Sequence, residues 1–162
     1  KLFQYGRIDV SAKLPAGRGT WPAIWMLGNN IDTIGWPDCG EIDIMEHVGY
    51  NPDSVFGTVH TKSYNHVLGT QTSSGITVAS PYSSFHVYSI EWTQEKIIFL
   101  VDDKQYLEFS NRHKTNNEWP FDKPFYLILN LAIGGNWGGK YGVDENIFPA
   151  VMQVDYVRVF EK

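Results

Sequence analysis

The chain has 162 residues, enough for one domain with its own core. Hydrophobic residues make up 43% and charged residues 19%, a soluble globular balance, and the formal net charge is −5. With only Arg7, Arg18, Arg112 and Arg158 and no basic run, nucleic acid is excluded as a natural partner, and a sulfated or phosphorylated substrate is disfavoured. No apolar run approaches the roughly 18 residues of a membrane helix, so no membrane partner is expected. Cys39 is the single cysteine, which rules out an internal disulfide. The chain starts Lys1-Leu2-Phe3 with neither an initiator Met nor a signal peptide, so a longer precursor is expected. Aromatics reach 15%, with six Trp; such rings fill cores, and they also stack on the apolar faces of sugars.

Period-two alternation recurs along the chain, and helical periodicity is nearly absent. In residues 7–14, Ile8, Val10, Ala12 and Leu14 alternate with Arg7, Asp9, Ser11 and Lys13, a strand with one wet face. Pro15-Ala16-Gly17 ends it. Residues 21–27 form an apolar strand, 28–40 a loop, and 41–47 and 55–61 two further strands. The polar stretch 62–84 reads as a loop, long enough to suggest a binding role. Strands follow at 85–93 and 96–101. Asp102-Asp103-Lys104 turns the chain into a strand at 105–109. Residues 110–124 connect to strands at 125–133 and 151–160, which flank the glycine-rich loop Gly134-Gly135-Asn136-Trp137-Gly138-Gly139. Many short strands separated by turns predict an all-β sandwich or barrel in a single domain.

The segment Glu41-Ile42-Asp43-Ile44-Met45-Glu46 puts three carboxylates into six residues of strand. Glu41 and Asp43 share one face and Ile42 and Ile44 the other. Strict alternation would bury Glu46 among the isoleucines, a costly place for a charge. One extra residue reverses the phase, so the pattern predicts a β-bulge at 44–46 that returns Glu46 to the face of Glu41 and Asp43. Three acids on one face repel one another and spread their pKa values, leaving one ionised and another protonated. Glycoside hydrolysis uses that division, with two carboxyls about 5–5.5 Å apart when configuration is retained. The competing reading is an acidic edge strand that resists aggregation. The flanking aromatics and the need for a bulge favour chemistry.

The same six residues resemble the active-site signature E-x-D-x-x-E of the family 16 glycoside hydrolases, in the longer form typical of laminarinase-type β-1,3-glucanases, agarases and carrageenases. Tyr5-Gly6-Arg7-Ile8, Lys13-Leu14-Pro15 and Trp21-Pro22-Ala23-Ile24-Trp25-Met26-Leu27 resemble the strands that precede the signature. Asn130-Leu131-Ala132-Ile133-Gly134-Gly135-Asn136-Trp137 and Val154-Asp155-Tyr156-Val157-Arg158-Val159 resemble the C-terminal strands in the laminarinase style. The resemblance spans the whole chain. It implies a concanavalin-like jelly-roll sandwich of two antiparallel sheets with a glycan cleft on the concave one. It also implies a retaining endo-β-1,3-glucanase acting on laminarin or mixed-linkage β-1,3-1,4-glucan. Glu41 would be the nucleophile, Glu46 the acid/base and Asp43 the residue that tunes Glu41. Trp21, Trp25, Trp36, His60, Asn130 and Trp137 are the expected substrate-binding residues. No cofactor is expected for catalysis. Asp155 matches one ligand of the structural calcium that family members often carry.

The N-terminal strands of the family domain, which help build both sheets, are expected ahead of Lys1. Their absence from the chain leads to the expectation of a longer precursor or of another chain that completes the sheets. Two rivals stand beside the glucanase: a non-catalytic β-glucan-binding module, and an agarase-type galactan hydrolase. Retention of Glu41, Asp43 and Glu46 together argues against the first, and the scarcity of Arg against sulfated galactans. A polymer substrate implies action outside the cell or in the periplasm.

Overall fold

The computed structural model describes residues 1–161. Its strands are β1 (Gly6–Lys13), β2 (Thr20–Gly28), β3 (Glu41–Glu46), β4 (Ser54–His60), β5 (Thr72–Thr77), β6 (His86–Trp92), β7 (Lys96–Val101), β8 (Lys104–Ser110), β9 (Phe125–Ile133) and β10 (Gln153–Phe160). They form two antiparallel five-stranded sheets, ordered β10-β1-β6-β7-β8 and β5-β4-β3-β2-β9. Edge strands β5 and β8 approach each other, and β3 lies over β6 at the centre. Edges β9 and β10 therefore share the opposite side of the sandwich. One helical turn, α1 (Ile31–Ile34), and a 3-10 turn at Glu145–Ile147 interrupt the loops.

The alternation read in the sequence becomes the core. Ile8, Val10 and Ala12 from β1 meet Ile24 and Met26 from β2, Ile42 and Ile44 from β3, and Tyr88, Ile90 and Trp92 from β6, all buried. Apolar burial of this kind, about 25 cal/mol per Å², holds the two layers together. The β7–β8 hairpin turns on Asp102 and Asp103, which both adopt positive φ (49° and 62°), as a two-residue turn requires if it is to match strand twist.

One element departs from the sequence reading. The predicted loop 62–84 contains β5. Its Thr-Ser-Ser-Gly-Ile-Thr sequence offers only one apolar side chain, and none of its six residues is fully buried. Pairing with β4 along Ser54–Val59 makes it a strand, and the Thr58 and Ser73 hydroxyls bond at 2.9 Å. Tertiary context outweighs local propensity here, and a polar edge strand also resists unwanted pairing.

The predicted bulge is present. Against β2, Trp25 pairs with Asp43 and Ile24 with Met45, leaving Ile44 as the extra residue. Against β4, Asp43 faces Thr58 and Glu46 faces Phe56, so Ile44 and Met45 together oppose Gly57. Both Ile44 and Met45 are fully buried. The Tyr106 hydroxyl donates to the Ile44 carbonyl (3.4 Å) and lies over Gly57. A Cβ on Gly57 would stand 2.6 Å from that hydroxyl oxygen and 2.8 Å from the Phe99 ring. Gly57→Ala is therefore expected to destabilise the fold by about 1–3 kcal/mol, the usual cost of overpacking. A lowered urea midpoint with an unchanged m-value would show it, and an unchanged midpoint would refute it.

Candidate active site

The solvent face of the β5-β4-β3-β2-β9 sheet carries a groove of about 260 Å³. Alternate residues of three neighbouring strands line it: Trp21, Ala23 and Trp25 of β2, Glu41, Asp43 and Glu46 of β3, and Asn130 and Ala132 of β9. The register explains the room. Ala23 pairs with Glu46 on one side and with Asn130 on the other, and Ala132 pairs with Trp21. Small side chains beside the acid and the indole leave a trough with an indole on either side of Ala23.

Each glutamate accepts a hydrogen bond from an indole. Trp36 Nε1 donates to Glu41 Oε2 at 2.6 Å, and Trp21 Nε1 donates to Glu46 Oε1 at 3.0 Å. Asp43 sits between them, 3% exposed, and is in hydrogen-bonding contact with Glu41. His60 Nε2 lies 3.4 Å from Asp43 Oδ2 but makes no hydrogen bond to it. A proton shared between Asp43 and Glu41 satisfies these buried oxygens better than two bare charges would.

Burial raises all three carboxyls above their ordinary values. Asp43 rises furthest in kind: burial acts first, then the charges of Glu46 and Glu41. Burial pushes Glu46 to about 7, against the opposing pull of the Trp21 donor and with a smaller push from Glu41. Glu41 is raised by burial but held down by its bonds to Asp43 and Trp36 and by the nearby His66. The result is a division of labour: near neutrality Glu46 is poised to hold or give up its proton, and Glu41 is the carboxyl whose donors offset part of the burial that disfavours its charge.

Trp21, Trp25 and Asn130 line the groove as the sequence suggests, with Trp25 Nε1 donating to Asn130 Oδ1 at 2.8 Å. The other three expected binding residues border the groove: His60 and Trp36 lie directly against the acids, and Trp137 stands beside Trp21. His60, 7% exposed, is buried next to Asp43, and burial lowers it to about 4, so it is neutral and structural to the acids. Trp36 donates its N–H to Glu41, and its ring packs on His66 at 5.0 Å. Trp137 packs edge-on to Trp21 (5.8 Å) and Phe56 (5.4 Å), buttressing the groove wall. The sequence reading missed Ala23 and Ala132, although both continue the i, i+2 alternation of Trp21, Trp25 and Asn130. It also passed over His66.

Glu41, Asp43 and His60 offer ligand atoms within 4.8 Å of one another, the one such cluster among the described residues. Asp155 does not join a cluster of this kind. It is exposed on β10, as the extra residue of the bulge facing Ser11 and Ala12. Among the described residues, no group of His, Cys, Asp or Glu gathers around Asp155.

The profile of glycosyl hydrolases family 16 matches residues 1–158. The chain belongs to this family. It is 58% identical to a β-glucanase from Rhodothermus marinus, over 98% of this chain and 58% of that protein. The solved laminarinase from Rhodothermus marinus superposes with a TM-score of 0.94 at 55% identity, over 98% of this chain and 66% of that one. A non-specific endo-β-1,3(4)-glucanase co-crystallised with 1,3-β-D-cellotriosyl-glucose superposes with a TM-score of 0.97 at 52% identity, over all of this chain and 62% of that one. The chain thus spans roughly three-fifths of the length of these family 16 relatives. Their fold is that of this sandwich.

Two outcomes follow from the family 16 site as built. The Trp21 indole favours the ionised form of Glu46, so Trp21→Phe is expected to raise the Glu46 midpoint, by up to about one pH unit. Carbon-13 titration of the side-chain carboxyl reads this directly, and an unmoved midpoint would contradict the assigned donor. Folding also raises Glu46 from 4.5 to about 7, so the folded protein holds that proton more tightly than the unfolded chain. This contribution weakens stability as pH rises across that interval. Glu46→Gln is expected to raise Tm at pH 8 and to have much less effect at pH 4.

Proposed function

We propose that the protein is a retaining endo-β-1,3-glucanase that cuts laminarin-type glucan and also accepts mixed-linkage β-1,3-1,4-glucan. The observation that carries this reading is the bulged strand β3, which brings Glu41, Asp43 and Glu46 onto the floor of an indole-lined groove with Glu46 raised to about 7. In the first step the Glu41 carboxylate attacks the anomeric carbon. The glycosidic C–O bond breaks, and Glu46 gives its proton to the leaving oxygen. In the second step Glu46, now a carboxylate, takes a proton from water. That water attacks the same carbon, the ester bond to Glu41 breaks, and the β configuration is restored. Asp43, protonated and buried, orients the Glu41 carboxylate by the bond they share. Trp21, Trp25 and Asn130 contact the glucan.

The names and bound sugar of the relatives support glucan over galactan. A binding module needs no triplet of mutually repelling acids, which argues against the non-catalytic reading. An enzyme whose substrate is a polysaccharide too large to enter the cell acts outside it or in the periplasm. Exposed Ile133 on β9 and exposed Val154, Val157 and Phe160 on β10 leave apolar surface along two edge strands, which supports their covering by further polypeptide.

Incubation with laminarin, lichenan and agarose, with reducing ends assayed, tests the reading. Release from laminarin and lichenan is expected, and Glu41→Gln should lower it on the order of 10³-fold or more. Glu41→Ala with azide is expected to yield an α-glycosyl azide, which identifies the nucleophile. Release from agarose alone would overturn the substrate, and no release from any of them would overturn the reaction.

A further inference from the structure

Trp36 hangs from a short loop, between α1 and β3, whose backbone is closed by Cys39 N to Gly35 O (3.0 Å) and Gly40 N to Pro37 O (3.1 Å). The indole ring is held from outside, by two imidazoles on other elements. His66 lies on it at 5.0 Å between centroids with planes tilted by 36°, and His60 of β4 approaches at 5.9 Å. His60 and His66 meet each other edge-on at 5.3 Å, which closes a three-ring cluster.

His66 reaches this place from an exposed loop that is built to be rigid. Asn65, 3% exposed, donates through Nδ2 to the carbonyls of Thr61 (3.1 Å) and Lys62 (3.2 Å) and accepts at Oδ1 from Leu68 N (3.1 Å). Thr70 accepts from Asn65 N at 3.2 Å and donates to Ser63 O at 3.0 Å. Lys62 Nζ then bridges to Asp38 Oδ1 at 2.7 Å, tying this loop to the Trp36 loop. So much local bonding for a solvent-facing segment is wasted unless the segment aims something. What it aims at Trp36 is His66.

We propose that His66 is a positioning residue for Glu41: packed on the Trp36 indole, it holds that indole's N–H against the carboxylate. The inference rests on the proposed role of Glu41 as nucleophile. The groups that face Glu41 are Asp43 and Glu46 on its own strand, His60 from β4, His66 from the 61–71 loop, and Trp36 and Cys39 from the loop before it. Burial opposes ionisation of Glu41, and Asp43, Trp36 and His66 favour it. Removing His66 therefore raises the pH at which Glu41 ionises.

The test compares His66→Ala, His66→Gln, Trp36→Phe and the His66→Ala/Trp36→Phe double variant, on laminarin and by NMR. His66→Ala is expected to lower kcat about tenfold with little change in KM, within the roughly 100-fold that a 1 Å misplacement costs. The acidic limb of its kcat/KM profile moves to higher pH, and the Trp36 indole N–H resonance shifts. In the Trp36→Phe background the same change is expected to cost less than about twofold, because the bond it protects is gone. His66→Gln, flat enough to pack on the indole, recovers part of kcat. A raised KM with unmoved kcat and acidic limb would make the loop merely structural and overturn the inference. Equal losses in both backgrounds would do the same. Should the wild-type protein hydrolyse no glucan, the proposed reaction fails on its own. The indole resonance and the Glu41 titration then decide His66, and their insensitivity to His66→Ala would refute it.

Discussion

A strand with the order Glu-Ile-Asp-Ile-Met-Glu cannot keep strict alternation if its three acids are to share one face and its three apolar side chains the core. Strand β3 resolves the conflict by placing Ile44 and Met45 together on the buried side, opposite the single residue Gly57. The rest of the site depends on that choice. Without the extra residue Glu46 would point into the sandwich, Ala23 would have no acid beside it, and Trp21 would have no carboxylate to meet. The supports of the bulge are correspondingly strict. Tyr106 reaches it only because Gly57 has no side chain, and the Phe99 ring closes the same space. A feature that costs ladder hydrogen bonds is thus fixed by packing from the opposite sheet.

The second consequence of the bulge is electrostatic. Bringing Glu46 back to the face of Glu41 and Asp43 gathers three carboxyls where burial already disfavours charge. Such a cluster is stable only if protons are retained, and the surroundings decide where. Asp43 is enclosed and keeps its proton. Glu41 receives the Trp36 donor and the influence of His66, which offset part of the burial that disfavours its charge. Glu46 has one donor and a neighbour of like sign, and sits near 7. Environments of unequal polarity around residues of one type give them distinct roles. The strand supplies the acids, and the loops and indoles differentiate them.

How much of this was legible in the sequence depends on the range of the interaction concerned. The β1 alternation of Ile8, Val10 and Ala12, the β3 conflict and the Asp102-Asp103 turn are local patterns, and each reads correctly. Strand β5 did not, because Thr72–Thr77 carries no alternation and owes its pairing to β4. Ala23 and Ala132 were passed over because a small side chain signals nothing until its neighbours in the register are known. Trp36 was read as a sugar platform, and its bond to Glu41 was not foreseen because a loop Trp has no evident partner in sequence. Its partners, Glu41, His60 and His66, come from β3, β4 and a separate loop. His60 illustrates the same limit: its residue type suggests chemistry, while its burial makes it a neutral wall behind Asp43.

The site also explains why this sheet is stiffened at its margins. Raised carboxyls near neutral pH work against the folded state, since the unfolded chain ionises them freely. The family 16 chain therefore carries a stability cost at the place where it needs most rigidity. Trp137 braces Trp21 from the glycine-rich loop, with Phe56 of β4 behind it. On the other flank the Asn65 bonds and the Lys62–Asp38 bridge lock the loop that meets Trp36. Each glutamate thus has an indole, and each indole has its own brace. Preorganisation of this kind keeps strained, mutually repelling acids in one arrangement before substrate arrives, so that binding need not impose it.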